Sequence, residues 1–103
     1  MKSEMLILYS RKGCCLCEAL EKKLLDISLT SLNPPMVLSV LDIDSNEVTD
    51  NLRKKYSNDV PVMVINYNTL SKIIEFPRVP PRLKEDQLSS WIQKNLDILL
   101  KLD

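Results

Sequence analysis

All three cysteines of the 103-residue chain fall within one short segment, Cys14-Cys15-Leu16-Cys17. A disulfide-stabilised secreted domain spreads its cysteines along the chain, because bridges that close long loops stabilise the fold most. A cluster of this kind closes almost no loop, so it indicates thiol chemistry rather than structural cross-linking. The chain also contains no histidine, which excludes a cysteine–histidine nucleophile pair and every histidine metal ligand.

The size and composition of the chain predict one globular domain, which we expect to span residues 1–103. Hydrophobic residues make up 45% and charged residues 27% of the sequence, which is enough apolar material for one core. Basic and acidic residues balance at 14 each, so no charge excess favours nucleic acid or an anionic membrane as a partner. The apolar runs are too short to span a bilayer, and the first residues lack the features of a secretory signal. We therefore expect a cytoplasmic protein.

The spacing of apolar residues predicts the element order β-α-β-α-β-β-α. The expected elements are a strand over 5–9, a helix over 14–28, a strand over 36–41, a helix capped by Asp44 or Ser45 and broken at 57–59, strands over 61–66 and 70–76 around a turn at 66–68, and a helix over 84–100. The helical crossovers make the first two strands parallel, and the closing pair of strands forms a hairpin. Helices then cover both faces of a four-stranded mixed sheet.

The spacing within the cysteine cluster indicates a reactive pair. Cys14 and Cys17 are three residues apart, which places both on one helix face within bonding reach. Cys14 opens the helix, where free backbone N–H groups and the helix dipole favour a thiolate, and Arg11 and Lys12 add positive charge. Because the thiolate is the nucleophile of disulfide exchange, we predict that Cys14 attacks and that the more buried Cys17 resolves the mixed disulfide. Cys15 is interpreted as a partly exposed thiol that this mechanism does not need, with regulation, metal capture or oxidative damage at an extra thiol as the alternative.

The sequence of residues 8–18 resembles the active-site segment of glutaredoxins, in particular small glutaredoxin-like proteins with a Gly-Cys-x-Leu-Cys pattern. The similarity extends over nearly the whole chain, and Val60-Pro61-Val62 stands where thioredoxin-like proteins carry a cis-proline. The resemblance implies a thioredoxin-like α/β fold of the glutaredoxin type, with strand order 2-1-3-4 and three helices. It also implies a cis Val60–Pro61 bond and a substrate-binding role for Arg11, Val60 and Pro61, since in this family the backbone of the residue before the proline pairs with the bound peptide or glutathione.

Two departures from the glutaredoxin pattern concern glutathione. Cys15 stands where glutaredoxins usually carry proline. Residues 76–82 contain no glycine, whereas glutaredoxins carry there a Gly-Gly turn and an acidic residue that hold glutathione. A backbone that reaches positive φ only at a cost is unsuited to the same cradle. We expect no bound cofactor, with glutathione as a possible co-substrate beside a thioredoxin-type reductant.

The predicted activity is dithiol–disulfide exchange on a protein or low-molecular-weight disulfide, carried out by a monomer. A metal or iron–sulfur carrier is one alternative, since three thiolates can bind a soft metal. A closed tetrahedral site needs a fourth ligand that the sequence does not supply, so no residue is assigned to a metal. The other alternative is a non-catalytic interaction module that keeps the fold.

Several other conspicuous residues are interpreted as structural. Tyr9 and Trp91 are expected to pack in the core. Arg78 and Arg82 are interpreted as solvated surface charges, with a role as carboxylate anchors as the alternative. The acidic residues between the second strand and the second helix are interpreted as caps and as a solvated helix face rather than a metal site; they are Asp42, Asp44, Glu47 and Asp50.

Overall fold

A computed structural model of the chain describes residues 4–67 and 71–101. Its elements, in chain order, are β1 (Glu4–Ser10), α1 (Cys15–Asp26), a short 3₁₀ helix (Leu29–Ser31), β2 (Met36–Asp42), α2 (Asp50–Tyr56), β3 (Val62–Tyr67), β4 (Lys72–Glu75) and α3 (Glu85–Lys101). The predicted order of strands and α-helices is confirmed, and the 3₁₀ helix is an addition. Within the described residues, no helix is long and apolar enough to cross a membrane.

The four strands form one mixed sheet in the order β2-β1-β3-β4. Strand β1 pairs in parallel with β2, because α1 carries the chain back across the sheet, and the other two pairings are antiparallel. This is the thioredoxin-like α/β fold that the resemblance implied. The register places Tyr9 opposite Val62, so the end of β1 that leads to the cysteines lies beside the start of β3.

The larger core lies between the sheet and helices α1 and α3. Alternate residues of β1 point to this face, and each helix contributes residues four apart, as the two periodicities require. The centre of this core is aliphatic and consists of Leu6, Leu8, Leu20, Leu24, Leu88, Ile92 and Leu96. Trp91 packs against its edge, with the centroid of its ring 6.2 Å from that of Phe76. It packs against this core, as predicted, and its side chain is partly buried.

A smaller core lies on the opposite face of the sheet, beneath α2. Its buried residues are Tyr9, Ile43, Val48, Tyr56, Val62 and Val64. The rings of Tyr9 and Tyr56 lie against each other with their centroids 5.3 Å apart. Tyr9 therefore packs inward, as predicted from its strand position.

The second helix begins later than the sequence predicted. Neither Asp44 nor Ser45 is its cap; residues 43–48 form turns and bends, and the hydroxyl of Thr49 caps α2 by accepting the backbone N–H of Leu52. Glu47 consequently lies in a turn rather than in the first turn of the helix, where Asp50 stands instead.

The guanidinium group of Arg53 explains why these residues form turns. It donates hydrogen bonds to the backbone carbonyls of Ile43, Ser45 and Val48, at 2.9 to 3.2 Å. The Ser45 carbonyl also accepts the backbone N–H of Val48, three residues on, whereas in an α-helix it would accept that of the residue four on. The Asp42 carboxylate stabilises the first of the turns by accepting the backbone N–H of Asp44.

The remaining boundaries differ from the predictions by small shifts. Helix α1 ends at Asp26, β3 begins after Pro61 and includes Tyr67, and α3 begins at Glu85. Strand β4 is shorter than expected, and residues 68–70, which include parts of the predicted turn and strand, lie outside the described residues.

Candidate active site

The structure joins Cys14 and Cys17 in a disulfide at the start of α1, with their Cα atoms 5.2 Å apart. Cys17 is 1% exposed, whereas Cys14 is partly exposed. The burial order predicted from their positions is confirmed. An approaching molecule therefore meets the sulfur of Cys14 first.

The turn before the disulfide orients the sulfur of Cys14. Gly13 adopts φ +81°, a left-handed conformation that glycine reaches without steric cost, and the backbone N–H of Cys14 donates to the carbonyl of Arg11. Cys14 is the N-cap of α1, and its Sγ accepts the backbone N–H of Cys17 at 3.2 Å. A sulfur in this position is stabilised as an anion by the helix N-terminus.

The two residues inside the motif are both exposed. Cys15 is the free cysteine of the described chain and lies outside the bridge. Leu16 is 47% exposed. Within the described ranges, no three cysteine, aspartate or glutamate side chains gather as metal ligands.

The Val60–Pro61 bond is cis, as the resemblance implied. Pro61 directly precedes β3 and lines a groove together with Leu16 of the cysteine motif. The structure therefore brings the proline and the cysteines to the same end of the sheet. The substrate-binding role of Val60 and Pro61 stays a prediction.

Arg11 forms a clamp, by which we mean its hydrogen bonds to Asp44 and Ser57. Its guanidinium donates to both carboxylate oxygens of Asp44, at 2.8 and 3.0 Å, and to the carbonyl and hydroxyl oxygens of Ser57, at 2.8 and 3.0 Å. The bond to Asp44 raises the pKa of Arg11, and the same bond lowers the pKa of the Asp44 carboxyl. The clamp ties the turn before the cysteines to the loop after β2 and to the end of α2. The predicted role of Arg11 toward a substrate remains a prediction.

A groove of about 80 Å³ opens between α1 and the segment before α3. Its lining is mostly apolar and consists of Leu16, Ala19, Leu20, Lys23, Pro61, Arg78, Val79, Pro80, Pro81, Leu83 and Leu88. Lys23 Nζ donates to the carbonyl of Pro81 at 3.2 Å and so joins the two walls. The sequence pattern did not predict this groove; its only signal was an apolar leucine between two cysteines.

A polar cavity of about 290 Å³ lies on the other side of the motif. Its lining includes Cys17, Val40 and several charged side chains, namely Arg11, Lys12, Glu18, Glu21 and Asp42. Cys17 and these carboxylate-bearing residues therefore line the same cavity. These carboxylates were not predicted as site residues, because they come from α1 and from the end of β2.

A third cavity, of about 220 Å³, lies beyond Pro61 and is lined in part by Tyr56, Glu75 and Arg78. The Tyr56 hydroxyl donates to Glu75 Oε1 at 2.7 Å. Burial raises the pKa of Tyr56, and so does the hydrogen bond to Glu75; burial likewise raises the pKa of Tyr9. Both phenols stay protonated at neutral pH, so neither supplies a base to the cysteines.

Comparisons with known proteins place the fold and the family. A family model described as Glutaredoxin-like domain (DUF836) matches residues 5–93. A solved structure described as that of a malarial protein superposes with a TM-score of 0.58 at 20% identity, over 92% of this chain and 99% of that one. A structural-genomics target from X. campestris gives a TM-score of 0.51 at 20% identity, over 86% of this chain and 96% of that one. At such identity the two structures support the fold, and among curated proteins none matches the sequence.

Proposed function

We propose that this chain, which belongs to the family of glutaredoxin-like domains, is a thiol–disulfide oxidoreductase that works through Cys14 and Cys17. The observation that carries the proposal is the disulfide between these residues at the start of α1. One sulfur is accessible and the other is buried, which is the asymmetry that a nucleophile and a resolving thiol need.

The reaction begins with the reduced protein. The Cys14 thiolate attacks one sulfur of a substrate disulfide, that S–S bond breaks, and the departing thiolate takes a proton from water. Cys17 then loses its proton and attacks Sγ of Cys14, which breaks the mixed disulfide and releases the second substrate thiolate. Two electrons pass to the substrate, and the product is the Cys14–Cys17 disulfide of the structure.

Two features of the site support these steps without a histidine. The backbone N–H of Cys17 donates to the sulfur of Cys14 and favours its thiolate form. The polar cavity supplies carboxylates of Glu21 and Asp42 as acceptors, through water, for the proton of the buried Cys17.

The proposal also covers the compartment, the substrate and the reductant. The monomer acts in the cytoplasm on a protein or low-molecular-weight disulfide. Glutathione or a thioredoxin-type protein returns the disulfide to the dithiol, and the protein itself holds no cofactor.

Three cysteine variants test the assignment of roles. We expect Cys14→Ser to abolish disulfide reduction, Cys17→Ser to accumulate a mixed disulfide with the substrate, and Cys15→Ser to keep the activity. Mass spectrometry of the acid-quenched protein measures the trapped adduct. The pH dependence of Cys14 alkylation should give a pKa below the value of about 8.5 of an ordinary thiol.

Two results would contradict the proposal. One is an ordinary pKa of Cys14 together with a disulfide that neither glutathione nor a thioredoxin system reduces. The other is protein that, purified without oxygen, contains stoichiometric iron or zinc and loses no function in the Cys14→Ser variant.

A further inference from the structure

The groove beside the disulfide leaves an apolar side chain in water next to the reactive sulfurs. Leu16, between the two bridged cysteines, is 47% exposed and forms part of the groove wall. Exposed apolar surface loses the stabilisation that burial gives, and a concave apolar surface at a reactive centre is typical of a binding site. The floor of the groove is the buried Leu20 and Leu88, so its shape is set by the core.

The opposite wall offers few hydrogen-bond donors. It contains Val79, Pro80 and Pro81, and Pro61 also lines the groove. Proline has no backbone N–H, and residues 76–82 lack the glycine that would let the chain turn its amides toward a ligand. Because this wall has few backbone N–H groups to pair with the peptide frame of glutathione, it suits an apolar side chain better.

The charges at the groove are of one sign. Lys23 and Arg78 line it, and no acidic residue does. Lys23 is bonded to the carbonyl of Pro81. Arg78, by contrast, has no hydrogen bond or ion pair with any other side chain or carbonyl in the described ranges, and it also lines the cavity beyond Pro61. An exposed guanidinium without a partner is suited to bind a carboxylate in bidentate fashion.

We propose that the groove docks a segment of a protein substrate in which the disulfide cysteine is flanked by an apolar side chain and an acidic residue. The apolar side chain enters the groove against Leu16, and the carboxylate binds Arg78. The inference rests on the proposed function and names its substrate class: a protein disulfide of this sequence character rather than glutathione disulfide. The electron transfer is the two-step exchange given above.

Matched peptides test this preference. Three peptides of equal length, each with one disulfide, carry Leu and Glu, Leu and Lys, or Ser and Glu beside the reactive cysteine. The measured quantity is the second-order rate constant for oxidation of the fully reduced protein, followed by thiol trapping and mass spectrometry. We expect the Leu and Glu peptide to react about tenfold faster than each of the other two, and faster than glutathione disulfide.

Paired variants locate the two contacts. Arg78→Glu should reverse the preference between Glu and Lys peptides, whereas Arg82→Glu, on the same segment but outside the groove, should leave it unchanged. Leu16→Ser should remove the preference for Leu over Ser. Its control is Leu25→Ser, on the same helix, where the side chain is 67% exposed and lines no part of the groove.

Bis(2-hydroxyethyl) disulfide is small and neutral, so it carries neither of the side chains that the groove is proposed to bind. Its reaction therefore tests the proposed function separately from the docking inference. If the wild-type protein is oxidised by it but reacts equally with all three peptides, or prefers glutathione disulfide, the docking inference is overturned and the proposed function stands. Equal effects of Arg78→Glu and Arg82→Glu would also overturn it. If no disulfide oxidises the protein, the proposed function fails, and the inference fails with it.

Discussion

The two sides of the Cys14–Cys17 disulfide are held in different ways. On one side, the clamp of Arg11 ties the preceding turn through charge-assisted hydrogen bonds to Asp44 and Ser57. On the other side, the groove is built on aliphatic side chains that belong to the larger core. The clamp engages its arginine within the protein, whereas the guanidinium of Arg78 at the groove has no hydrogen-bond or ion-pair partner among the described residues.

The two sides should therefore respond differently to pH and to salt. Burial of apolar surface depends little on pH or salt, whereas exposed ion pairs weaken when a carboxylate is protonated or when salt screens the charges. The groove should therefore keep its shape under conditions that loosen the turn before Cys14. The following variants test the two sides separately.

The largest effect is expected beneath the groove. Leu88 is fully buried, so Leu88→Ala leaves a cavity and should lower the free energy of unfolding by about 2–5 kcal/mol. Leu88→Met keeps most of the volume and should lower it by less than about 1.5 kcal/mol. Urea denaturation followed by Trp91 fluorescence measures both. If Leu88→Ala destabilised the protein no more than Asp44→Asn does, the groove would not be the more stable of the two sides, and the comparison would be wrong.

The next effect is expected in the turn. A Cβ at Gly13 meets no atom within 4 Å, so Gly13→Ala should lower stability through the positive φ alone, by about 1–2 kcal/mol. Gly13→Asn is the control, since asparagine adopts the left-handed region more readily and should lower stability less. Equal losses in the two variants would mean that the conformation of the turn is not the cause.

A smaller effect with a distinct pH signature is expected from the clamp. The folded-state pKa of Asp44 is lowered by Arg11, so its contribution is present above the unfolded pKa of about 3.9 and is lost as pH falls through the folded value. The melting temperature of Asp44→Asn should therefore lie below that of the wild type at pH 7 and approach it near pH 2. High salt should narrow the difference at pH 7, because the pair is exposed. A difference that persists unchanged in acid would exclude the ion pair as its source.

The smallest effect is expected at Arg82. Its side chain is exposed and lines none of the three cavities beside the motif. Arg82→Gln should change the free energy of unfolding by less than about 0.5 kcal/mol, which urea denaturation resolves from the other variants. A larger loss would show that the segment before α3 is held by this charge as well as by apolar packing.

The features of the site that could be predicted are those encoded by residues close together in the sequence. The spacing of Cys14 and Cys17 places two thiols on one turn of a helix, and Gly13 marks the turn before them. The resemblance added the cis bond before Pro61, which the structure confirms. The start of α2 was predicted wrongly, because the carbonyls of the preceding turns are bonded by Arg53, whose side chain no local pattern assigns to them.

The sequence by itself determined the pairing of Cys14 with Cys17, the element order and the burial of Cys17, since each follows from spacing and periodicity along the chain. Only the tertiary structure decided which group Arg11 binds, because Asp44 lies 33 residues away and reaches it through the pairing of β1 with β2. It also decided that Leu16 faces a groove, because the opposite wall comes from residues 78–81 and Leu83. Contacts between distant parts of the chain depend on strand order and register, and these are set by the packing of the whole fold.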